Sequence, residues 1–244
     1  MSFASATLDA HGLLAALRGG LAQLERNADL LDALNVFPVP DGDTGSNMVH
    51  TLRAGLNGQG STDTPAPDTL PALADRLRPR LLAESRGNSG FLVATFLDGF
   101  LRDLAALPHA PHTDAHTDAG IDRRTDTVDV ARLAHAFEAG AYHATTALAN
   151  PREGTMLTAM RLMSEGLRAA TSATTSIGDA LTRAVAAGRD AVAGTPRLLP
   201  VLRRAGVVDA GALGLVLLFD GLRRAVLGEP LADEDGAAHR FPPE

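Results

Sequence analysis

Residues 35–48 read Asn-Val-Phe-Pro-Val-Pro-Asp-Gly-Asp-Thr-Gly-Ser-Asn-Met, and this stretch separates the first helical segment of the chain from the second. Upstream of it, leucine and alanine recur every three or four residues over 8–34, a spacing that predicts one long helix. Pro38 and Pro40 end that helix, because proline has no N–H donor and its ring clashes with the preceding turn. A new helix is predicted to begin at Asp43 or at the residue after it.

The remainder of the chain repeats this organisation of apolar helices joined by Gly- and Pro-rich loops. No segment alternates apolar and polar residues convincingly, so strands are not expected. We therefore predict an all-α protein with a single domain over 1–244 and a core over about 8–228, in which long helices pack up and down against their neighbours. The helices after the first are predicted at 43–56, 71–82, 91–104, 128–148, 156–167, 176–192, 195–204 and 212–227.

Two segments outside these helices differ in composition. Residues 108–126 are rich in Pro, His, Thr and Asp and offer almost no side chain to bury, so we expect a mobile loop. Its histidines, His109, His112 and His116, are interpreted as solvated side chains rather than metal ligands. Residues 229–244 carry an acidic run and are expected to form a solvated tail.

Composition excludes several classes of protein. A formal charge of −7 and the absence of Lys/Arg-rich runs argue against a nucleic-acid partner. The chain has no cysteine, which excludes disulfides, thiolate metal sites and cysteine nucleophiles. The longest strongly apolar run, 210–219, is too short to span a bilayer, and the first residues lack the basic and apolar regions of a secretory signal. We expect a cytoplasmic protein without a transmembrane segment.

Asp41 and Asp43 stand two positions apart in the central turn of the opening stretch. A calcium-binding EF-hand loop needs a bidentate Glu where Leu52 stands, and no Gly-Lys-Ser/Thr Walker A sequence occurs in the chain. Magnesium fits better, since it takes one or two carboxylates and completes its shell with water and phosphate oxygens. The alternative is that Asp41 only shapes a turn and Asp43 only caps the next helix, and the turn by itself leaves both interpretations open.

Four helix starts carry small polar residues that suit an anion. Backbone N–H groups in the first turn of a helix have no partner within the helix, and the helix dipole favours negative charge there. Each start can also be explained as an ordinary cap, but four of them in one all-α chain favour a shared anion site. The residues are Thr44, Gly45, Ser46 and Asn47, then Arg86, Gly87, Asn88, Ser89 and Gly90, then Gly154 and Thr155, and finally Asp209 and Gly211.

These motifs resemble, in content and order, those of the nucleotide-binding (DhaL-like) domain of fatty acid kinase A-type proteins, which is related to the L subunit of dihydroxyacetone kinase. The resemblance rests on residues 34–48, 83–90, 153–157 and 199–211, and it spans about residues 8–228. It implies a barrel of eight antiparallel up-and-down helices, with ATP bound by the loops at one end.

The resemblance also implies roles for individual residues. Asp41 and Asp43 match the aspartates that hold two magnesium ions against the phosphates, so they are the candidate catalytic residues. The dihydroxyacetone kinase branch has a third aspartate just upstream, where this chain has no acid, and Asn35 is the nearest candidate ligand. The first two helix starts are implied to contact the phosphates. The nucleotide base and sugar are implied to lie near Met156, Asp209 and Gly211, and Thr155 is a further candidate nucleotide-binding residue.

The reaction implied is magnesium-dependent phosphoryl transfer from ATP, leaving ADP, to a substrate that a partner protein presents. A fatty acid held by a carrier protein is the preferred acceptor, and its carboxylate would become an acyl phosphate. Two alternatives stay open: an L-type subunit of dihydroxyacetone kinase, and an ATP-binding regulatory module without turnover. The sequence determines neither the carrier nor the oligomeric state, with a homodimer among the alternatives.

Overall fold

A computed structural model describes residues 7–57, 67–106, 126–171 and 175–240 of the chain. Within these ranges the protein folds into α-helices and one short 3-10 helix, and β-pairing is limited to two isolated bridges. The predicted all-α class is therefore confirmed. The helices are α1 (Ala10–Arg26), α2 (Ala28–Leu34), α3 (Thr44–Asn57), α4 (Leu70–Ala83), α5 (Gly87–Ala105), α6 (Val130–Thr146), α7 (Met156–Ala169), α8 (Ile177–Leu198), α9 (Pro200–Ala205) and α10 (Ala210–Leu227), and the 3-10 helix spans Gly236–His239.

The single helix predicted over 8–34 is wrong, because the backbone breaks at Asn27 between α1 and α2. Asn27 has φ −116° and ψ 12°, and its buried side chain donates from Nδ2 to the carbonyl of Gln23 at 2.8 Å. An asparagine side chain that bonds to nearby backbone groups competes with the helical pattern. The break gives α2 its own direction, and α2 leads directly into the cavity described below.

The predicted helix over 195–204 is also wrong in its start, because α8 continues through Pro196 and a separate α9 begins at Pro200. Pro196 cannot donate to the carbonyl of Val192 four residues earlier. The hydroxyl of Thr195 donates to that carbonyl instead, at 2.7 Å, so the last turn of α8 survives. Pro200 then occupies the first position of α9, where a missing N–H costs nothing.

The hydrophobic core surrounds α10. Every residue of α10 over 212–222 is buried, so the helix is covered on all sides. Phe219 of α10 packs against Phe96 and Phe100 of α5 and against Phe137 of α6, with ring centroids between 4.8 and 6.4 Å apart. Burial of such large rings is a dominant favourable contribution to folding.

The long helices contact one another largely in chain order. From α3 to α8 each contacts the next, while α10 contacts both α8 and α1, and α1 contacts α3. The starts of α3, α5, α7 and α10 all lie at one cavity. The intervening α4 and α6 must therefore run back in the opposite direction, which brings the loops before every second helix to the same end. In the described part of the chain, no helix is both long and apolar enough to cross a membrane.

Residues 229–240 of the tail that is expected to be solvated are mostly exposed, but several of them also pack against the helices. The backbone of Ala232 and the side chain of Glu234 are hydrogen-bonded to buried or partly buried groups of α1 and α8, and His239 is only 9% exposed. Residues 241–244 lie outside the described ranges, as does the expected mobile loop at 108–126 apart from Asp126.

Candidate functional site

Loops and helix starts from several parts of the chain surround a cavity of about 650 Å³. Many of the residues proposed from the sequence line it: Asn35, Asp41, Asp43, Thr44, Gly87, Asn88, Ser89, Thr155, Met156, Asp209 and Gly211. The tertiary structure therefore brings all four helix starts together, although they are far apart in sequence. The remaining lining residues are Phe37, Pro38, Val39, Leu92, Leu148, Asn150 and Arg152.

The proposed metal ligands lie in the turn between α2 and α3. Gly42 stands between the two aspartates with a φ of +68°, a left-handed conformation that glycine adopts at little cost. Both Asp41 and Asp43 line the cavity, and the buried Asn35 donates from Nδ2 to Asp41 Oδ1 at 2.7 Å. That hydrogen bond orients the Asp41 carboxylate and leaves the amide oxygen of Asn35 for another partner.

Negative charge accumulates in this turn without a cation to balance it. Of the described residues, none forms an ion pair with Asp41 or Asp43. Burial raises the pKa of Asp43, a hydrogen bond from Asn47 opposes that effect, and the neighbouring carboxylates of Asp41 and Asp32 raise the pKa further. An unbalanced pair of carboxylates is the charge arrangement that a bound cation would relieve.

This donor set fits Mg²⁺, which prefers carboxylate and carbonyl oxygens and keeps open positions for water and phosphate. Asp41, Asp43 and the amide oxygen of Asn35 would hold the ion. Across the described ranges, no three His, Asp or Glu side chains are arranged as a metal site, so protein carboxylates would fill only part of the coordination shell.

Asp32 of α2 does not line the cavity but supports it from behind through α3, a role that the sequence did not reveal. Its Oδ1 accepts from the backbone N–H groups of Gly45 at 2.6 Å and Ser46 at 3.1 Å, and its Oδ2 accepts from Ser46 Oγ at 2.6 Å. Asp32 thereby caps the start of α3 from another helix, where negative charge also interacts well with the dipole. The only feature of the sequence near Asp32 that points to this role is its position three residues before Asn35. The helical spacing by itself indicates only that Asp32 lies on the polar face of its helix.

The start of α5 offers backbone donors to the cavity. Arg86 precedes the helix and makes no side-chain cap, while Gly87, Asn88 and Ser89 line the cavity. Gly87 has a φ of +58°, and a Cβ there would lie 2.3 Å from Asn47 Nδ2, so the close approach of α5 to α3 requires glycine. An uncapped helix start with free N–H groups is a ready anion site.

Asp209 closes the cavity at the start of α10. It is 4% exposed, and it caps α10 by accepting from the N–H of Ala212 at 2.7 Å. Burial raises the pKa of Asp209 to about 7, although backbone N–H groups of Ala212, Met156 and Gly211 lower it. Gly211 is in close contact with this group, since a Cβ there would lie 3.2 Å from Met156 Cε and 3.3 Å from Asp209 Oδ1.

Six proposed residues do not line the cavity: Gly45, Ser46, Asn47, Arg86, Gly90 and Gly154. Gly45 and Gly90 instead permit close packing, because a Cβ would lie 2.3 Å from the carbonyl of Ala28 or 2.4 Å from Thr51 Oγ1 respectively. Ser46 is held by Asp32, as described above, and the backbone of Arg86 donates to Thr51 Oγ1 at 3.2 Å.

The cation that lines the cavity is Arg152, which the sequence argument did not single out. It lies in the loop before α7, and its backbone carbonyl accepts from Thr155 Oγ1 at 2.7 Å. The signal that could have found it is its position three residues before a polar helix start. An exposed guanidinium at the cavity wall can approach phosphate oxygens in two-pronged geometry.

Comparison with known proteins defines the class. The model of the DAK2 domain family matches residues 38–224, which is most of the chain, so this chain belongs to the DAK2 domain family. It is 31% identical over 223 residues to the protein YloV of Bacillus subtilis, covering 91% of this chain and 36% of YloV. An uncharacterized protein of Staphylococcus saprophyticus is 30% identical over 213 residues, with 87% and 35% covered. The chain thus spans about a third of the length of these relatives.

Solved structures share the fold. The dihydroxyacetone kinase of C. freundii in complex with AMP-PNP and Mg²⁺ matches with a TM-score of 0.59 at 20% identity, over 87% of this chain and 33% of that chain. Its native form matches with a TM-score of 0.57 at 18% identity, over 87% of this chain and 34% of that chain. The relationship inferred from the motifs is therefore confirmed, and the fold is that of a region of dihydroxyacetone kinase.

Proposed function

We propose that this chain is a kinase domain that transfers the γ-phosphoryl group of ATP, with Mg²⁺, to a substrate presented by a partner protein. The observation that carries the proposal is the juxtaposition in one cavity of two unbalanced carboxylates, Asp41 and Asp43, with the uncapped start of α5. One feature suits a cation and the other an anion, and a metal–nucleotide complex supplies both. The bound AMP-PNP and Mg²⁺ in the related kinase structure support this choice of ligand.

The residues of the cavity would divide the recognition of ATP among them. Asp41, Asp43 and Asn35 hold two magnesium ions, and the N–H groups of Asn88 and Ser89 donate to phosphate oxygens. The metal ions neutralise charge that develops on the transferring group. Arg152 adds a charged donor at the cavity wall. Thr44, Thr155, Met156, Asp209 and Gly211 complete the nucleotide site with ADP as the product.

The preferred acceptor is a fatty acid carboxylate. One carboxylate oxygen attacks the γ-phosphorus, the bond from that phosphorus to the β,γ-bridging oxygen breaks, and ADP leaves with the electron pair. The carboxylate carries no proton at neutral pH, so the step needs alignment and charge neutralisation and no protein base. The product is an acyl phosphate. The choice of acceptor rests on the motif at 35–48, where Asn35 stands in place of an acid.

A partner must bring this acceptor to the cavity. Three exposed apolar side chains flank it: Val39 at 53% exposure lines the cavity, Phe91 at 39% lies one turn along α5 from Asn88, and Leu198 at 51% packs against Gly154. Exposed apolar groups around a polar cavity support docking of a carrier protein there.

Dihydroxyacetone held by a partner subunit is the second candidate acceptor, and the fold shared with dihydroxyacetone kinase favours it. Transfer assays with labelled ATP separate the two. A fatty-acid-loaded carrier should give a hydroxylamine-sensitive acyl phosphate, whereas a dihydroxyacetone-binding subunit should give a stable phosphate ester. Binding of ATP without transfer to either acceptor would indicate a regulatory module.

The metal–nucleotide site is tested by calorimetric titration of AMP-PNP with and without Mg²⁺. Asp41→Asn and Asp43→Asn should each weaken the magnesium-dependent binding by at least about tenfold, since each removes a charged ligand. Asp75→Asn is the matched control, because it makes the same change at an exposed position of α4 away from the cavity. Equal affinity of all three variants and the parent chain would disprove the assignment.

A further inference from the structure

Residues 230–240, here called the C-terminal strap, cross the surface after α10 and contact helices that are distant in sequence. The match to the DAK2 family ends at residue 224, so the strap lies beyond the part of the chain that defines the family. Its contacts reach two segments that line the cavity.

The first contact is with the end of α1. Gln23 is fully buried, and it forms a reciprocal pair with the backbone of Ala232: Nε2 donates to the carbonyl at 2.7 Å and Oε1 accepts from the N–H at 3.1 Å. Asn27 accepts from the N–H of Glu234 at 2.8 Å and donates to the same carbonyl of Ala232 at 3.3 Å. Asn27 is the residue at which α1 breaks and α2 takes its direction. The strap therefore satisfies the polar groups of that break.

The second contact anchors the strap to α8. Arg189 donates in two-pronged fashion to Glu234, from Nη1 to Oε1 at 2.7 Å and from Nη2 to Oε2 at 3.0 Å. His239 Nε2 lies 3.1 Å from Glu234 Oε1, within the strap itself. Asp220 of α10 stands 3.9 Å from Arg189 and adds a second carboxylate to the cluster. Two-pronged guanidinium–carboxylate pairs fix orientation as well as distance.

The third contact lies next to the cavity. The carbonyl of His239 accepts from the N–H of Val208 at 3.3 Å, and Arg240 forms an isolated bridge with Val207. Arg240 also donates from Nη2 to the carbonyl of Ala33 in α2 at 3.2 Å. Val208 directly precedes Asp209, and Ala33 stands two residues before Asn35. One end of the strap therefore touches the two segments that carry these cavity residues.

We propose that the strap positions the nucleotide site, by holding α2 and the 207–209 segment in a fixed position relative to each other. Gln23 and Glu234 are its positioning residues, acting through Asn27 and through Arg189 and His239. The site that they position is the one assigned under the proposed function, so the effect on nucleotide affinity rests on that function. The effect on the backbone of α2, α3 and 207–209 does not.

The test uses two variants of the full chain, Glu234→Gln and Gln23→Met, each close in size to the residue replaced. Without nucleotide, hydrogen exchange should speed up at the amides of Gly45 and Ser46, which Asp32 holds, and at Val208. In the same variants, AMP-PNP with Mg²⁺ should bind about three- to tenfold more weakly at a temperature where the chains stay folded. Glu165→Gln is the control, because it breaks an exposed pair with Arg161 on α7 and should leave both readouts unchanged.

A purely stabilising role would lower the melting temperature and leave these two readouts at the parental values, and that result would overturn the proposal. Faster exchange with unchanged AMP-PNP affinity would overturn it as well. If the parent chain failed to bind AMP-PNP with Mg²⁺, the proposed function would be disproved. Hydrogen exchange would still test the strap in that case: faster exchange at Gly45, Ser46 and Val208 in the variants would support positioning by the strap, and unchanged exchange would refute it.

Discussion

At the scale of single residues, Asp209 is a carboxylate whose hydrogen bonds favour its charged form while its burial disfavours it. It caps α10 through the N–H of Ala212, yet it is nearly inaccessible to water. Burial raises its pKa from 3.8 to about 7, so the folded chain holds a proton on it over a range where the unfolded chain does not. Stability from this group is therefore complete at pH below about 4 and declines as the pH rises through about 7.

Asp209→Asn should remove this dependence on pH. The amide oxygen can still cap α10, and the side chain stays neutral throughout. We expect the variant to gain thermal stability relative to the parent chain as the pH rises from about 5 to about 8, by a few kcal/mol at most. Thermal melts of both chains across that range provide the measurement. Parallel pH profiles for the two chains would show that Asp209 stays ionised in the folded protein.

At the scale of helices, the start of α3 is capped by a side chain from α2. Asp32→Ala removes three hydrogen bonds, to Gly45 N, Ser46 N and Ser46 Oγ, and should cost about 1–2 kcal/mol. Because α3 begins at the cavity, AMP-PNP affinity should fall as well. Urea unfolding and calorimetric titration measure the two effects.

Asp9→Ala is the matched control for this prediction. Asp9 caps α1 by accepting from the N–H of Gly12 at 2.7 Å, at an exposed position that does not line the cavity. Its loss should cost about 1 kcal/mol of stability and leave nucleotide affinity unchanged. An equal loss of affinity in both variants would attribute the effect of Asp32→Ala to general destabilisation.

At the scale of the whole molecule, the pair of Glu234 with Arg189 and His239 joins the last described segment to α8. Burial alone would raise the pKa of Glu234, but hydrogen bonds from His239 and Arg189, with their positive charge, lower it to about 2. The stability that this carboxylate provides is therefore present above its ordinary pKa of 4.5 and is lost as the pH falls towards about 2.

Glu234→Gln should reduce the loss of free energy of unfolding as the pH falls. The parent chain should lose about 2 kcal/mol or less through this group on acidification, because solvent screens a pair that is only partly buried. Urea unfolding at a series of pH values between about 5 and about 3 measures the difference between the chains. If the two chains differed by the same free energy of unfolding at every pH in that interval, Glu234 would not lose its partners on acidification.

The sequence by itself determined the all-α class, most of the helices and the family. Each depends on neighbours within one or two turns: apolar spacing along the α10 sequence, proline at 38 and 40, and glycine at Gly42 and Gly87 with positive φ. The same local signals placed Asp41, Asp43, Asn88 and Asp209 at polar helix starts. These starts meet at one cavity because helices of similar length alternate in direction.

Only the tertiary structure decided what depends on contacts between distant residues. Asp32 caps α3 only because the fold places α2 next to the start of α3. Arg152 lines the cavity only because the loop before α7 lies beside the other helix starts. The break at Asn27 and the docking of the strap belong to the same class, since Gln23 and Ala232 are separated by 209 positions. A polar side chain in a sequence carries no mark of such a partner. Its hydrogen-bond partner depends on which segments the packing of the core brings next to each other.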